Sequence, residues 1–197
     1  MFLIDLSGWL SSAIALLLLT LQLPAVMVLL SRLLKGPTRR PPLQPRLATP
    51  EQKGAVSVVV PTLNEVARLG PCLQGLSQQT DEVREILIVD SHSQDGTRDL
   101  VKAAQAQESR LQLMTDDPLP AAWVGRPWAL HHGYLQSSAE SEWILGLDAD
   151  TQPQPGLVAA LMAAAATENY DLVSLSPRFI LKSPGEVWLQ PALLMTL

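Results

Sequence analysis

One cysteine, Cys72, stands alone among 197 residues. A lone thiol excludes an internal disulfide and fits a reducing compartment. No internal repeat is visible, which excludes a solenoid or a repeat array. Basic residues are scarce over most of the chain: residues 51–197 carry nine Lys/Arg against eighteen Asp/Glu. So acidic a body excludes nucleic acid as a partner. Charge of either sign is missing from one long stretch. From Leu6 to Leu30 the only side chain more polar than a hydroxyl or an indole is Gln22. Those 25 residues would span roughly 37 Å as a helix, enough to cross a bilayer with some tilt. The basic segment that precedes the apolar part of a secretory signal is also missing, since the only charge upstream is Asp5.

The basic residues follow the apolar run instead, as Arg32, Lys35, Arg39, Arg40 and Arg46. By the positive-inside rule this predicts a single N-terminal membrane span with everything downstream in the cytoplasm. A basic collar beside an apolar helix also suits anionic lipid headgroups of the bilayer. Residues 36–50, GPTRRPPLQPRLATP, hold five prolines and predict a semi-rigid, extended linker. The expected division is therefore an anchor and linker over residues 1–50 and a ligand-binding domain over residues 51–197.

That domain alternates between two periodicities. Ala55–Val60, Glu85–Val89, Leu111–Met114, Trp143–Leu147 and Leu172–Leu175 read as short strands, several of them apolar on both faces. Between them Val66, Leu69, Leu73 and Leu76 share one helix face. Thr97–Gln107, Trp128–Ser138 and Leu157–Ala166 predict further helices. Strands and helices in alternation predict an α/β fold, a mostly parallel sheet with helices on both faces. Ligands of such sheets bind beyond the carboxyl ends of the strands.

The polar residues are found at those ends. The first strand runs into Pro61-Thr62-Leu63-Asn64-Glu65, where Thr62 and Glu65 match a capping box and Pro61 is expected to stop the strand. Backbone amides at the start of the next helix would also suit a nucleotide. The second strand ends in Asp90, an acid placed to accept hydrogen bonds from a base or ribose, and Asp95-Gly96 reads as a turn. The fourth strand ends in Asp148-Ala149-Asp150. Residues i and i+2 of an extended chain share a face, so both carboxylates are expected to converge. Two such charges call for a cation between them, and a hard divalent ion, Mg2+ or Mn2+, also bridges to substrate phosphates.

Taken together, VSVVVPTLNE, IVDSHSQDGT, GRPWALHHG and LDAD resemble, in order and spacing, the motifs of the inverting glycosyltransferases of family 2, which have the GT-A fold. The resemblance covers about residues 55–180. It implies a GT-A, Rossmann-like domain that takes a sugar from a nucleotide-diphosphate donor such as a UDP-sugar. It implies that the loop Pro61, Thr62, Leu63, Asn64 and Glu65 cradles the nucleoside and that Asp90 contacts the uracil base. Asp148 would lie near the ribose and the cation, Asp150 would bind the cation, and Arg126, in the place of a common lysine, would face the diphosphate. The anchor and the WVGRPWALHHG stretch look most like the branch acting on isoprenoid lipids, which includes hopanoid-associated and carotenoid glycosyltransferases. That implies a membrane lipid acceptor.

Several positions depart from the family pattern. Leu63 stands where many members have an aromatic residue, Ser91 and His92 replace Asp-Gly, and His131 and His132 stand near an expected Asn. Inversion needs a general base. The family's Glu-Asp pair has no match after Leu175, where EVWLQPALLMTL looks like an amphipathic or membrane-contacting helix. The base is expected beyond Leu197, and the chain reads as a fragment holding the donor half of a site. A catalytically incomplete nucleotide-sugar-binding membrane protein and a polysaccharide synthase of the same family are the alternatives. A sugar nucleotidyltransferase is disfavoured, because PTLNE stands where it would carry a Gly-rich loop.

Overall fold

A computed structural model describes residues 6–33 and 41–186. They form two compact units by internal contacts, one with its core in Leu43–Pro177 and one containing the N-terminal helix and the segment from Arg178. Lys35, Arg39, Arg40 and the first part of the Pro-rich segment lie outside the described residues, as does all but the first residue of EVWLQPALLMTL.

Helix α1 (Leu6–Leu33) is long and apolar enough to cross a membrane between Gly8 and Ser31. Its apolar side chains are exposed along that length, unlike those of a core helix. Its hydroxyls bond to carbonyls of the helix itself: Ser11 and Ser12 to Gly8, Thr20 to Leu17 and Ser31 to Val28. No hydroxyl among these needs water, which suits a hydrocarbon surrounding.

The larger unit is built on four parallel strands in the order β3-β2-β1-β4. They are β1 (Val56–Thr62), β2 (Val83–Asp90), β3 (Leu111–Thr115) and β4 (Trp143–Gly146). The helices between and after them are α2 (Val66–Ser77), α3 (Thr97–Gln105), α4 (Gly125–Gln136) and α5 (Leu157–Glu168). In the two central strands, Val58, Val59, Val60, Ile86, Leu87, Ile88 and Val89 have no solvent exposure. Alternation along each strand divides them between two layers. Val56, Val58, Val60, Ile86 and Ile88 pack with Leu69, Leu73 and Leu76 of α2, Val101 of α3 and Val158 of α5. On the other face Val59, Leu87 and Val89 meet Ala129 and Leu130 of α4. Helices therefore cover both faces, as the unbroken apolar strands require.

Two expectations about strands need correction. Pro61 does not stop β1, which pairs on through Pro61 with Val89 and Thr62 with Asp90. The β4 ladder has already ended, Leu147 N donating to Val59 O as its last bond. Residue 61 points its backbone to that same side, so the missing N–H of proline removes no ladder bond there. Leu172–Leu175 is not a strand. It has no pairing partner among the described residues and leaves Leu172 86% exposed.

Loop positions are set by buried polar side chains. Gln79 donates to the carbonyls of Gly75 and Gln154 and accepts from Val158 N, so it ties the end of α2 to the β4–α5 loop and the start of α5. Arg46 N donates to Gly156 O, and a Cβ on Gly156 (φ 76°) would stand 2.5 Å from Arg46 O. Only glycine fits there, on grounds of both φ and space.

The approach of α4 to β1 rests on Gly133, where a Cβ would lie 2.4 Å from Val59 Cγ1. Gly133→Ala should lower the denaturant midpoint of the detergent-solubilised chain. Overpacking of about 1–3 kcal/mol outweighs the ~1 kcal/mol gain in helix propensity. Gly70→Ala in α2, with no atom within 4 Å of the new methyl, should instead leave the midpoint unchanged or raise it.

Candidate functional site

The loops leaving the carboxyl ends of all four strands lie along one edge of the sheet. The order in which strands are added reverses between β1 and β4: β2 and β3 lie on one side of β1 and β4 on the other, which makes this the switch point at which open α/β sheets bind ligands. At the centre, Thr62 and Asp90 are register partners at the ends of β1 and β2. Both are buried, and Thr62 Oγ1 donates to Asp90 Oδ1 at 3.2 Å. Thr62 is thus a strand residue and not the helix cap expected from the T-x-x-E spacing. The residue capping α2 is Glu65, which makes no side-chain cap bond.

Asp90 differs from the expectation of a base-contacting acid in its exposure. It has no solvent-accessible surface in this structure. Its Oδ1 is taken by Thr62 and its Oδ2 by Ser93 N at 3.1 Å, with the Arg98 guanidinium 3.7 Å away. In this arrangement Asp90 organises the β2–α3 loop from beneath.

That loop in turn occupies the amides offered by the start of α2. Asn64 N donates to Ser93 Oγ, Glu65 N to Thr97 Oγ1 and Val66 N to Asp95 Oδ2. Asn64 sits at φ 56°, a conformation asparagine tolerates well, and its Oδ1 accepts from Gln94 N. Asp95 is more than a turn residue. One carboxylate oxygen takes Val66 N at the start of α2, while the other takes Thr97 N and Thr97 Oγ1 at the start of α3. The Thr97 hydroxyl and these amides hold its pKa below the ordinary carboxylate value.

His92 stands where the resemblance places glycine, and it adopts the glycine-like φ of 63°. Its ring bonds to Asp117 on the β3–α4 loop at 2.6 Å, while Ser91 Oγ donates to Asp116 at 2.8 Å. Trp128 Nε1 donates to the Asp116 carbonyl and connects α4 to the same corner. The Asp117 carboxylate, first by hydrogen bonding and then by charge, raises the His92 pKa above its ordinary 6.5.

The fourth loop carries the paired acids. Asp148 and Asp150 are exposed and flank buried Ala149. The backbone there is a turn, closed by Thr151 N and Oγ1 on the Asp148 carbonyl, and not the extended strand from which convergence was expected. Arg126, at the start of α4, donates to Asp148 Oδ1 through Nε at 2.9 Å and also through Nη2. The guanidinium therefore supplies a positive charge to one of the two carboxylates. Cys72 lies below the turn, its sulfur 3.9 Å from the Asp148 carbonyl, and burial pushes the thiol up to about 11. It behaves as a packing residue.

Hard oxygen donors are what Mn2+ or Mg2+ requires, and Asp148 and Asp150 offer them to solvent. Among the described residues no group of three or more His, Cys, Asp or Glu is placed to hold a metal. A cation at this turn would need further oxygens from a ligand, which fits a metal that arrives with a diphosphate. His131 and His132 bond to neither acid; their rings pack with Trp123 and Trp128.

The structure thus brings Pro61–Glu65 together with Asp90, and Arg126 together with Asp148. Leu63 is 56% exposed at the rim. Ser93, Thr97, Arg98, Asp116 and Asp117 were not singled out in the sequence. Their signal was only proximity to a strand end. A cavity of about 410 Å3 lies at the opposite end of the strands, beside Lys53, Arg84 and Arg110. Arg84 and Arg110 bond there to backbone carbonyls and to Glu140 and Glu108, so these cations brace the fold.

The His92–Asp117 contact can be checked by NMR. A raised folded pKa means that the contact stabilises the loops below about pH 6.5 and that this contribution is lost as pH rises through the raised value. Histidine ring titration should place His92 above 6.5, and Asp117→Asn should bring it down. An unmoved His92 would refute the pairing.

Comparison with known proteins agrees with the fold. The model of Glycosyl transferase family 2 matches residues 57–195. The 4,4'-diaponeurosporenoate glycosyltransferase of Staphylococcus haemolyticus is 28% identical over 138 residues, 69% of this chain and 35% of that protein. The undecaprenyl-phosphate mannosyltransferase of Micrococcus luteus is 32% identical over 118 residues, 58% of this chain and 45% of that protein. A mannosyltransferase from Pyrobaculum calidifontis, solved in complex with GDP-Man and Mn2+, superposes with a TM-score of 0.50 at 24% identity, over 70% of this chain and 39% of that one. The chain spans less than half the length of each of these relatives. With the family's model matched over more than two thirds of its residues, the chain belongs to glycosyl transferase family 2.

Proposed function

We propose that residues 51–197 form the nucleotide-sugar-binding part of an inverting glycosyltransferase that moves a sugar from a nucleotide-diphosphate donor, a UDP-sugar in the first instance, to a membrane lipid. The observation that carries this reading is the meeting of Arg126 with Asp148 at the β1–β4 switch point, two residues from the exposed carboxylate of Asp150. A cation and an arginine side by side are what a diphosphate leaving group requires. Asp150 and Asp148 would hold Mn2+ or Mg2+, which when bound would neutralise the leaving diphosphate. Arg126 would turn from Asp148 to the phosphates. The loop Pro61–Glu65, with exposed Leu63, would form the nucleoside cradle. Asp90 would set the shape of that cradle from below, contacting the base only if the Ser91–Ser93 segment shifts.

The lipid acceptor is supported by two relatives, one named for 4,4'-diaponeurosporenoate and the other for undecaprenyl-phosphate. A carotenoid or hopanoid hydroxyl would also be a lipid acceptor, but unlike the carboxylate and phosphate of those names it must lose its proton to a general base. Helix α1 would serve as the anchor, with the binding domain on the cytoplasmic side. Glu186 is poorly suited as the general base. It accepts Lys182 N at 2.6 Å and Ser183 N, bonds that hold its pKa below the ordinary value.

Calorimetric titration of UDP into the detergent-solubilised chain tests the donor site. Binding should require Mn2+. Asp150→Ala should weaken it at least about tenfold, since even outer-shell partners of metals are worth 10–100-fold, with the far-UV spectrum unchanged. Equal affinity in that variant would sink the metal assignment.

A further inference from the structure

The outer face of α4 has a composition that the donor site does not explain. Its inner face, with Ala129 and Gly133, is buried against the sheet. The outer face, where a surface helix normally carries charge, presents Tyr134 at 55% and Leu135 at 58% exposure. The only charged residue in the helix is Arg126, at its first turn and already engaged by Asp148. Helix α3, of similar size, carries Arg98, Asp99 and Lys102.

The preceding β3–α4 loop joins this surface at Trp123, which stacks on His131, and is itself apolar and exposed. Leu119, Trp123 and Val124 are exposed at 53%, 39% and 68%. The rings are continuous: Trp123 stacks on His131 at 4.8 Å, and His131 lies 6.1 Å from Tyr134. The two acids at the start of the loop are both engaged. Asp116 is buried and bonded to Ser91, and Asp117 is paired with His92.

We propose that this face, from Trp123 through His131 to Tyr134 and Leu135, docks the domain on the interfacial region of a lipid bilayer. Trp and Tyr rings on an apolar, charge-poor surface match the headgroup boundary, where one end of a ring is dry and the other wet. The electrostatics favour a membrane. Residues 51–197 carry twice as many acids as bases, so anionic headgroups repel most of the domain, and a patch with no free carboxylate is where that repulsion is least. The same chain carries α1, which is long and apolar enough to cross the bilayer. Docking by α4 would hold Arg126, and with it the donor site, at headgroup level. An acceptor hydroxyl would then be reached without extracting its lipid tail.

This rests on α1 being an anchor and on the lipid-acceptor reading. The test separates their failures. The full chain is reconstituted in phosphatidylcholine/phosphatidylglycerol vesicles and nitroxide-labelled at Leu135→Cys, at Leu17→Cys in α1, or at exposed Gln74→Cys in α2 on the other side of the sheet. Unsubstituted chain serves as the blank, because Cys72 is buried with its thiol pushed up to about 11. Power saturation then compares oxygen with a water-soluble nickel chelate. The expected ratio of oxygen to nickel accessibility at Leu135 is several-fold above that at Gln74 and approaches that at Leu17. A Leu135 ratio equal to that of Gln74, with Leu17 in lipid, overturns the docking and leaves the anchor standing. A water-exposed Leu17 overturns both. Dipolar broadening at Leu135 that persists on dilution with lipid shows a second copy covering the face and also overturns the proposal. The Mn2+-dependent UDP titration is read on the same sample, and its failure would strike the donor-site reading alone.

Discussion

Everything in the domain depends on β1 being a central parallel strand, paired with β2 on one side and β4 on the other. Parallel pairing demands crossover helices, and those helices bury both faces of the sheet. A strand in that position has no room for a polar side chain except at its ends or where a partner is supplied, as Glu85 and Ser141 supply one for Ser57. Polarity is driven to the carboxyl edge, and the register that aligns Val60 with Ile88 also brings Thr62 to Asp90. Core packing and the placement of the site are consequences of one ladder.

The loops above that ladder are held by side chains bonding to each other's backbone. Asp95 closes the starts of two helices, Asn64 donates its N–H to Ser93 and accepts from Gln94 N across the gap, and Glu65 N is capped by Thr97. A network of this kind orders the loops at the carboxyl edge before any ligand arrives, which lowers the entropic cost of binding there. It also explains how His92 tolerates a left-handed backbone. The ring pairs with Asp117, and Ser91 beside it is fastened to Asp116.

The acidic turn shows a related economy of charge. Two carboxylates separated by one buried alanine would repel each other in isolation. Arg126 offsets that repulsion by pairing with Asp148, and the pair is exposed enough on both sides to exchange partners. Because Arg126 begins α4, the charge balance of the carboxyl edge of the sheet is coupled to the position of that helix. The charge-poor aromatic face lies on the same helix.

Much of this was legible in the sequence, because period-two and period-3.6 patterns report burial directly. The four strands, the four helices over the sheet, the parallel α/β class and the long apolar helix all follow from where apolar residues recur. The acids at strand ends were conspicuous because they interrupt runs that otherwise have no polarity. What depends on partners distant in the chain was not legible. The spacing of Thr62 and Glu65 looks like a cap, yet ladder pairing with Asp90 makes Thr62 a strand residue. Leu172–Leu175 has the composition of a strand, but a strand exists only where a neighbour bonds to it. Asp95 reads as a turn from its own neighbourhood and becomes a double cap only when α2 and α3 meet. The sequence by itself determined which side chains must be buried and in what order the elements run, since hydrophobic burial is a property of local pattern. Only the tertiary structure decided which polar groups face each other at the sheet edge, because hydrogen bonds and ion pairs depend on distances that no spacing along the chain encodes.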